Sequence, residues 1–274
     1  MRIYLFALAI MTVPAMAQDM PIFDAHIHYS HDAVAHVPPK EAAVILRQAG
    51  VQRALVSSSD DEGTQKLFAE APDIVVPSLR PYRRRGEIGT WVKDPTILTY
   101  VEERLAKYKY HAIGEFHVYG ADVETPVVQR IIALAKERGL LLHAHSDVDA
   151  IERIFKSNPD ALVLWAHAGF DAPERVRGML RRHKNLWCDL AFRNDHGSGT
   201  SVEPEWRKAF DEFPDRFMVG TDTFAPERWH YIKEHADYSR RWLSSLPQDL
   251  AERIAHRNAA QMLARVAPLP PATR

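Results

Sequence analysis

"FDAHIHYS", residues 23–30, places Asp24, His26 and His28 two positions apart, directly after an apolar stretch. Residues two apart on a β-strand share one face, so the three polar side chains can all point to the same side. This spacing alone is weak support for a binding site, because polar residues also alternate in ordinary strands. Its meaning depends on the strands that follow in the chain and on the residues that end them.

Further apolar runs typical of strands follow the first one at regular intervals. The predicted strands occupy residues 22–25, 54–57, 74–79, 112–116, 140–143, 162–166, 186–190 and 217–221. Amphipathic stretches typical of helices lie between them, at residues 39–49, 96–108, 126–138, 148–155, 173–183 and 203–213. Gly50 and Gly139 stand where two of these helices are predicted to end. Strands and helices that alternate eight times in about 250 residues predict a single (β/α)8 TIM barrel, with a doubly wound open α/β sheet as the alternative.

The first residues of the chain predict a signal peptide. Arg2 gives a positive start, residues 3–13 form an apolar run, and Ala15 and Ala17 supply the small-x-small pattern that signal peptidase accepts. The apolar run is shorter than the roughly 20 residues of a membrane-spanning helix. We therefore predict cleavage after residues 1–17 and a periplasmic or secreted mature protein without membrane attachment.

The mature chain is predicted to form one barrel domain over residues 18–264, followed by a Pro-rich disordered tail over residues 265–274. Cys188 is the single cysteine, so no intramolecular disulfide is available, and its apolar neighbours predict a buried thiol. With 46% hydrophobic residues the chain can bury a large core. A formal net charge of -1 gives no basic field that would attract nucleic acid or an anionic membrane, so we expect a small-molecule substrate and no nucleic-acid partner.

Polar residues with metal-binding chemistry end most of the predicted strands. They are His26 and His28 at the first strand, Glu115 at the fourth, His143 and His145 at the fifth, His167 at the sixth and Asp222 at the eighth. In a barrel the carboxyl ends of the strands open onto one face, so these side chains are expected to converge. Imidazole nitrogens and carboxylate oxygens suit Zn²⁺ and similar divalent ions. The sequence therefore predicts a metal centre at this face.

Each of these residues also has a structural explanation. His167 can be a hydrogen-bonded core histidine, Asp222 an N-cap of the following helix, and Glu115 the partner in a buried salt bridge. Their joint occurrence at the predicted strand ends favours the metal centre over these separate explanations. His143 and His145 compete for one ligand position, and His143 is preferred because it directly follows the apolar run of its strand.

Five motifs occur in an order that resembles the amidohydrolase superfamily of metal-dependent barrels, particularly its TatD-like and amidohydrolase-2 branches. They are "DAHIH", "GEFH", "LLHAHSD", "WAHAG" and "VGTD", and the resemblance covers essentially the whole mature chain. It implies one or two divalent ions, with zinc as the expected metal. His26, His28 and Asp222 would bind one ion, and His143 and His167 would bind a second or complete the first. Glu115 would bridge two ions where many relatives use a carbamylated lysine, and this departure leaves the number of ions open.

The resemblance implies an exported hydrolase that uses metal-activated water to cleave an amide, lactone, ester or phosphoester bond. Asp222 is the expected catalytic base, which takes the proton of the attacking water. If His143 is a ligand, His145 is free to polarise the substrate as a second catalytic residue. Asp24, deeper on the first strand, is expected to orient a ligand histidine.

Loop residues near the barrel mouth are candidates for substrate contacts. Arg80 ends the third strand and can pair with a carboxylate or phosphate of the substrate, although a local salt bridge is the alternative. Arg193 and His196 lie in the loop after the seventh strand. Two other functions stay open: a decarboxylase or hydratase with one metal ion, as in parts of the amidohydrolase-2 branch, and a non-catalytic barrel that binds metal or a small ligand.

Overall fold

The computed structural model describes residues 20–266, and within them eight parallel strands form one sheet in chain order. The strands are Ile22–His28, Val51–Ser57, Val75–Leu79, Ala112–His117, Leu141–His145, Leu162–Trp165, Leu186–Asp189 and Phe217–Met218. The chain beyond the eighth strand returns to the first: the amide of Ala25 donates to the carbonyl of Val219 at 2.9 Å, and the amide of His28 donates to Thr223 at 3.1 Å. These bonds join the two ends of the sheet, so the predicted (β/α)8 barrel is confirmed and the open-sheet alternative is wrong.

Helices surround the strands on the outside of the barrel. The longer ones are Pro39–Gln48, Glu62–Glu70, Thr96–Lys107, Pro126–Arg138, Val148–Ser157, Pro173–Arg182, Pro204–Glu212 and Ile232–Leu243. The shorter ones are His31–His36, Pro226–Trp229, Gln248–Glu252 and Asn258–Leu263. The six predicted helical stretches are confirmed, with ends that differ from the prediction by two residues at most.

Local sequence signals fix where these helices begin and end. The Thr125 hydroxyl accepts from the amide of Val128, and the Asp147 carboxylate accepts from the amide of Ala150 at 2.8 Å, so each side chain caps the start of a helix. Gly139 ends the helix Pro126–Arg138 with a φ of 64°, in the left-handed region that glycine adopts without a Cβ clash. Each cap fixes the residue at which a helix begins or ends. The neighbouring strands are thereby set in register, with their carboxyl ends at one face of the barrel.

The core lies inside the barrel and between the barrel wall and the helices. All residues of the first strand are buried. Cys188 is fully buried, and burial raises the pKa of its thiol, so the thiol is packed and inert as predicted. The predicted signal peptide and all of the predicted tail except Arg265 and Val266 lie outside the described residues. No helix within residues 20–266 combines the length and apolar character that crossing a membrane requires.

Candidate metal centre

Four of the predicted ligands meet at the carboxyl ends of the first, fourth and eighth strands. His26 Nε2 lies 3.1 Å from His28 Nε2 and 3.6 Å from Glu115 Oε1. Asp222 Oδ1 lies 3.7 Å from His26 Nε2 and 3.4 Å from His28 Nε2, and Glu115 Oε2 lies 3.1 Å from His28 Nε2. The structure therefore brings together residues that are separated by almost 200 positions in the chain, as the barrel prediction requires.

The spacing around the two imidazole nitrogens is that of ligand atoms on a metal ion. An ion with bonds of about 2.0–2.1 Å in tetrahedral geometry holds neighbouring ligand atoms roughly 3.4 Å apart. The five distances that join the His26 and His28 nitrogens to each other and to these carboxylate oxygens run from 3.1 to 3.7 Å. Together the four residues form a cage whose donor chemistry suits a divalent cation: His26, His28 and Glu115 could hold an ion as one group, and His26 and Asp222 could hold one together with His167.

The charge around His26 also suits a cation. Three carboxylates, from Asp189, Glu115 and Asp222, surround the ring of His26, which is fully buried. Burial alone would lower the pKa of His26, but the three negative charges outweigh it and raise that pKa well above its usual value. A site that holds a proton so firmly has an excess of negative charge, which a bound metal ion would neutralise.

Asp222 is held in place by its backbone. Its φ of 46° lies in the left-handed region, its amide donates to the carbonyl of His26 at 2.8 Å, and its carbonyl accepts from Arg228 Nε at 2.9 Å. Burial would raise the pKa of Asp222, but the charge on His26 and a hydrogen bond from His28 hold it at about 2. Its side chain is 14% exposed, more than those of the histidines it meets, so an ionised carboxylate stands at the solvent side of the cluster.

Glu115 lies at the centre of the face and contacts basic side chains on both oxygens. Arg80 Nη2 donates to its Oε2 at 2.8 Å, and Arg80 Nε donates to its backbone carbonyl at 3.0 Å. Burial would raise the pKa of Glu115, but the charge on His26 and the bond from His145 hold it well below its usual value. Arg80 therefore makes a buried salt bridge beside the metal cage, and Glu115 remains a carboxylate.

The two histidines of the fifth strand point to different partners. His145 Nδ1 lies 2.9 Å from Glu115 Oε1, and its ring stacks on His117 at 4.2 Å between centroids. His143 Nε2 donates to Asp189 Oδ2 at 3.1 Å and is fully enclosed. Glu115, His117 and His145 form a further group that could hold an ion. This geometry favours His145 over the predicted His143 as the fifth-strand residue beside Glu115.

His167 approaches the same carboxylate from the sixth strand. Its Nε2 lies 3.7 Å from Glu115 Oε1, and its Nδ1 donates to the carbonyl of Ala191 at 2.8 Å. His167 has a φ of 56°, so its backbone turns in the left-handed conformation directly after the strand. The bond to Ala191 fixes the ring so that Nε2 faces the cluster.

Asp189, which the sequence reasoning did not single out, is the carboxylate that orients two of these histidines. Its Oδ2 accepts from His26 Nδ1 at 3.2 Å and from His143 Nε2 at 3.1 Å, and its Oδ1 accepts from the amides of His167 and Ala191, both at 3.0 Å. The available signal was its position, because Asp189 ends the seventh strand in "LWCD" as the other candidates end theirs. A carboxylate behind a ligand histidine fixes the ring and raises its basicity.

Asp24 does not have the orienting role predicted for it. Its carboxylate accepts from the amides of His26 and Thr221, both at 3.0 Å, and from the Thr221 hydroxyl at 2.7 Å. Thr221 belongs to the segment that follows the eighth strand, so Asp24 ties the first strand to the segment that carries Asp222. Asp24 thus positions backbone, and Asp189 makes the contact to the imidazole ring.

Substitution Asp189→Asn is expected to weaken metal binding about 10–100-fold, because the ring of His26 loses its charged partner. The affinity can be measured by competition with a chromogenic chelator. Cys188→Ala is the matched control, since it removes the buried side chain that precedes Asp189 and that points to the other side of the same strand. Equal affinities for Asp189→Asn and wild type would show that Asp189 does not position the ligand.

The other predicted substrate residues lie beside the cluster, in the loop after the seventh strand. Arg193 pairs with Asp195 and donates through Nη1 to the carbonyl of His167 at 3.0 Å. His196 packs edge-on against Trp242, with 4.7 Å between ring centroids. Among the described contacts, Arg193 braces the backbone behind His167 and His196 faces the helix Ile232–Leu243.

The family model for amidohydrolases matches residues 23–265, which is nearly all of the described chain. The chain belongs to the amidohydrolase family. Members of this family typically bind divalent metal ions, and the residue groups described above could hold one in this member. None of the curated proteins compared with this amidohydrolase matches its sequence.

Solved structures share the barrel of this family member at low sequence identity. An uncharacterised TIM-barrel protein from Bordetella bronchiseptica is 15% identical, with a TM-score of 0.60 over 90% of this chain and 99% of that one. A probable 2-pyrone-4,6-dicarboxylic acid hydrolase from Acinetobacter baumannii is 12% identical, with a TM-score of 0.57 over 89% and 100%. A TatD homologue from Escherichia coli is 17% identical, with a TM-score of 0.54 over 88% and 97%. At these identities the likeness shows a common fold.

Proposed function

We propose that this member of the amidohydrolase family is a metal-dependent hydrolase whose ion, with zinc as the expected metal, is held by His26, His28, Glu115 and Asp222. The spacing around His26 and His28 carries the proposal, because distances of 3.1 to 3.7 Å join the two imidazoles to each other and to both carboxylates, and the surrounding charge favours a cation. A bound divalent ion would supply Lewis acidity, which polarises a scissile carbonyl or phosphoryl group and makes water acidic enough to attack it.

The residues of the chain would then handle protons and position the substrate. Asp222 would accept the proton of the attacking water on a carboxylate oxygen and pass it to the leaving group. His145 would contact the substrate, because its partly exposed ring lies at the mouth beside Glu115. Since Nδ1 donates to Glu115, a hydrogen bond from Nε2 to the oxyanion requires a ring that carries both protons. Asp189 would keep His26 in the orientation that a ligand needs.

We infer that one ion, rather than two bridged ions, occupies this centre. Arg80 already places a fixed positive charge 2.8 Å from Glu115 Oε2. A second divalent ion on the same carboxylate would meet the repulsion of that guanidinium in a buried site. Arg80 supplies the charge that a second ion would otherwise bring, and Glu115 then acts as a ligand without a bridging role. His143 would support the centre from behind as a partner of Asp189, whereas His167, whose Nδ1 is held by Ala191 and whose Nε2 faces the cluster, could complete the ligands of the one ion.

The rim of the face favours an organic substrate with apolar surface. Five aromatic side chains on the loops around the centre are between 40% and 57% exposed: Tyr119, Phe170, Phe192, Phe224 and Tyr231. Exposed aromatic residues gathered around one opening are typical of a binding site. We propose a small organic molecule with an amide, lactone, ester or phosphoester bond as the substrate and Arg80 as a further contact, whereas Arg193 and His196 face the neighbouring cavity. The Ala15-Met16-Ala17 pattern supports the proposal that the enzyme acts outside the cytoplasm.

One observation keeps a decarboxylase as the second candidate. The single-ion geometry, with Arg80 beside it, also suits a substrate carboxylate that leaves as carbon dioxide. A panel of lactones, esters, amides, phosphoesters and aromatic carboxylic acids separates the two candidates. We expect ring opening or bond hydrolysis that stops after dialysis against a chelator and returns with added Zn²⁺. Release of carbon dioxide without hydrolysis would support the decarboxylase, and turnover that survives metal removal would contradict both candidates.

A further inference from the structure

A cavity of about 240 Å³ lies beside the metal centre, between the loop after the seventh strand and the helix Ile232–Leu243. Its volume is just below the range of about 300–1,000 Å³ for drug-sized ligands, so a small organic molecule fits. Its lining residues do not include the ligands of the metal centre. The cavity is therefore a separate feature, and conclusions about it do not depend on the proposed hydrolase activity.

The helix turns an unusually polar face into this cavity. His235, Tyr238, Ser239 and Trp242 follow helical spacing and line the cavity together. A helix that packs on a barrel wall normally places apolar residues at such positions. The Tyr238 hydroxyl donates to the carbonyl of Gly197 at 2.6 Å, which fixes the opposite loop and keeps the walls apart. The cavity is thus built by polar groups and has a defined shape.

Buried nitrogen atoms in this cavity have no hydrogen-bond partner. His196 is 2% exposed, and neither Nδ1 nor Nε2 of its ring has a partner among the described residues. The same is true of His235 Nδ1 on the facing helix. A buried polar group without a partner is destabilising, so such groups are usually satisfied by a ligand or water. Burial lowers the pKa of His196 to about 4, so the neutral ring offers one N–H donor at neutral pH.

The charge of the walls selects the kind of ligand. Arg228 and Arg193 are among the lining residues, and no aspartate or glutamate is. Arg193 is paired with Asp195, whereas Arg228 donates only to backbone carbonyls, those of Asp222 and Thr221. Its Nη1 donates to no described residue. A guanidinium with a free donor in a partly enclosed cavity attracts an anion, and carboxylates match its geometry.

We propose that this cavity binds a small organic carboxylate, with Arg228 and His196 as the groups that recognise its oxygens. The aromatic walls of Trp242 and Phe192 contact the organic part of the ligand. Because the carbonyls of Asp222 and Thr221 accept from Arg228, the site adjoins the metal centre through one side chain. A carboxylate that enters or leaves the barrel mouth can therefore bind here without displacing a ligand of the metal.

Benzoate is a suitable probe, and calorimetric titration of the metal-loaded full chain measures its binding. We expect saturable binding to one site, no binding of the uncharged benzamide, and unchanged affinity after the metal is removed and the chelator is dialysed away. His196→Leu is expected to weaken benzoate binding roughly 10–100-fold, because a hydrogen bond to a charged group is lost. Ser239→Leu, which fills the cavity, is a second variant for the case in which His196→Leu alters the fold. It should weaken benzoate binding by the same factor or more.

His111→Leu is the matched control, since His111 also has a buried ring nitrogen without a partner but precedes the fourth strand at the opposite end of the barrel. It should leave the benzoate affinity unchanged. Equal benzoate affinity of the wild type, His196→Leu and Ser239→Leu would overturn the proposal. Loss of benzoate binding when the metal is removed, or binding of benzamide as tight as that of benzoate, would also overturn it. Inorganic phosphate that binds as tightly as benzoate would show an oxyanion site without selectivity for organic carboxylates, and would also overturn it.

Discussion

The variant His26→Ala/His28→Ala is expected to lose metal binding almost completely. Structural zinc sites with four ligands bind with about 10–16 kcal/mol, so each ligand contributes roughly 3 kcal/mol. Removal of two of the four should therefore weaken binding by about 10⁴-fold or more. The two imidazoles lie 3.1 Å apart and together hold one side of the cage, so the variant loses two ligands of the same ion at once. Elemental analysis of the purified variant measures the loss, and any hydrolysis found for the wild type should disappear with it.

A control variant must show that the loss of any two histidines does not by itself remove the metal. His183→Ala/His256→Ala is the matched control, because His183 pairs with Glu152 on the outer helices and His256 lies in the turn that follows Gln248–Glu252. The control variant should keep the metal content of the wild type. Thermal unfolding shows whether either variant is folded. A folded His26→Ala/His28→Ala variant with full metal content would mean that the metal, if present, is bound elsewhere in the chain.

Substitution Asp222→Asn is expected to lower turnover about 10²–10⁴-fold at saturating metal, which is the usual contribution of a general base. Asparagine keeps the shape of the side chain and an oxygen that can reach the ion, but it cannot accept the proton of water. The backbone bonds of Asp222 to His26 and Arg228 do not involve the side chain, so the local fold should be unchanged. The measurement is kcat on the best substrate of the panel, with metal content determined in parallel.

Asp211→Asn is the control for Asp222→Asn, because Asp211 is an exposed aspartate that pairs with Arg207 on an outer helix. Its turnover should equal that of the wild type. If Asp222→Asn retains both its metal and a near-normal rate, Asp222 is a ligand without a catalytic role, and another group must accept the proton. If Asp222→Asn loses its metal even at a high concentration of added Zn²⁺, the contribution of Asp222 to metal binding is larger than its contribution as a base.

The sequence predicted the barrel well because two independent patterns agree on it. Apolar runs of strand length alternate with helical periodicity, and glycines such as Gly139 mark helix ends. Local chemistry of this kind can be seen without coordinates. The doubly wound alternative shares the same alternation, and only the bonds between Ala25 and Val219 and between His28 and Thr223 distinguish a closed barrel from it.

The site was predictable as a set of strand-end residues but not as a network of contacts. Which of His143 and His145 faces Glu115 depends on a close approach of the fourth and fifth strands. At Gly114, with a φ of +132°, an added Cβ would lie 2.1 Å from the carbonyl oxygen of His143. The glycine at position 114 is consistent with this close approach, but it does not determine where the rings of His143 and His145 point. Asp189 was missed for the related reason that a carboxylate acting on histidines from behind has no motif of its own.

The most direct test of the account is the number of metal ions per chain, measured by elemental mass spectrometry on wild type and Glu115→Gln at the same free zinc concentration. The exposed Glu137→Gln serves as the control, since Glu137 pairs with Arg130 on the outer helix Pro126–Arg138. We predict one ion per chain in the wild type and in the control, and clearly less than one in Glu115→Gln, because a ligand of a single ion is weakened. Two ions in the wild type would contradict the single-ion centre, an unchanged count in Glu115→Gln would remove Glu115 from the ligands, and no ion in any sample would contradict metal dependence itself.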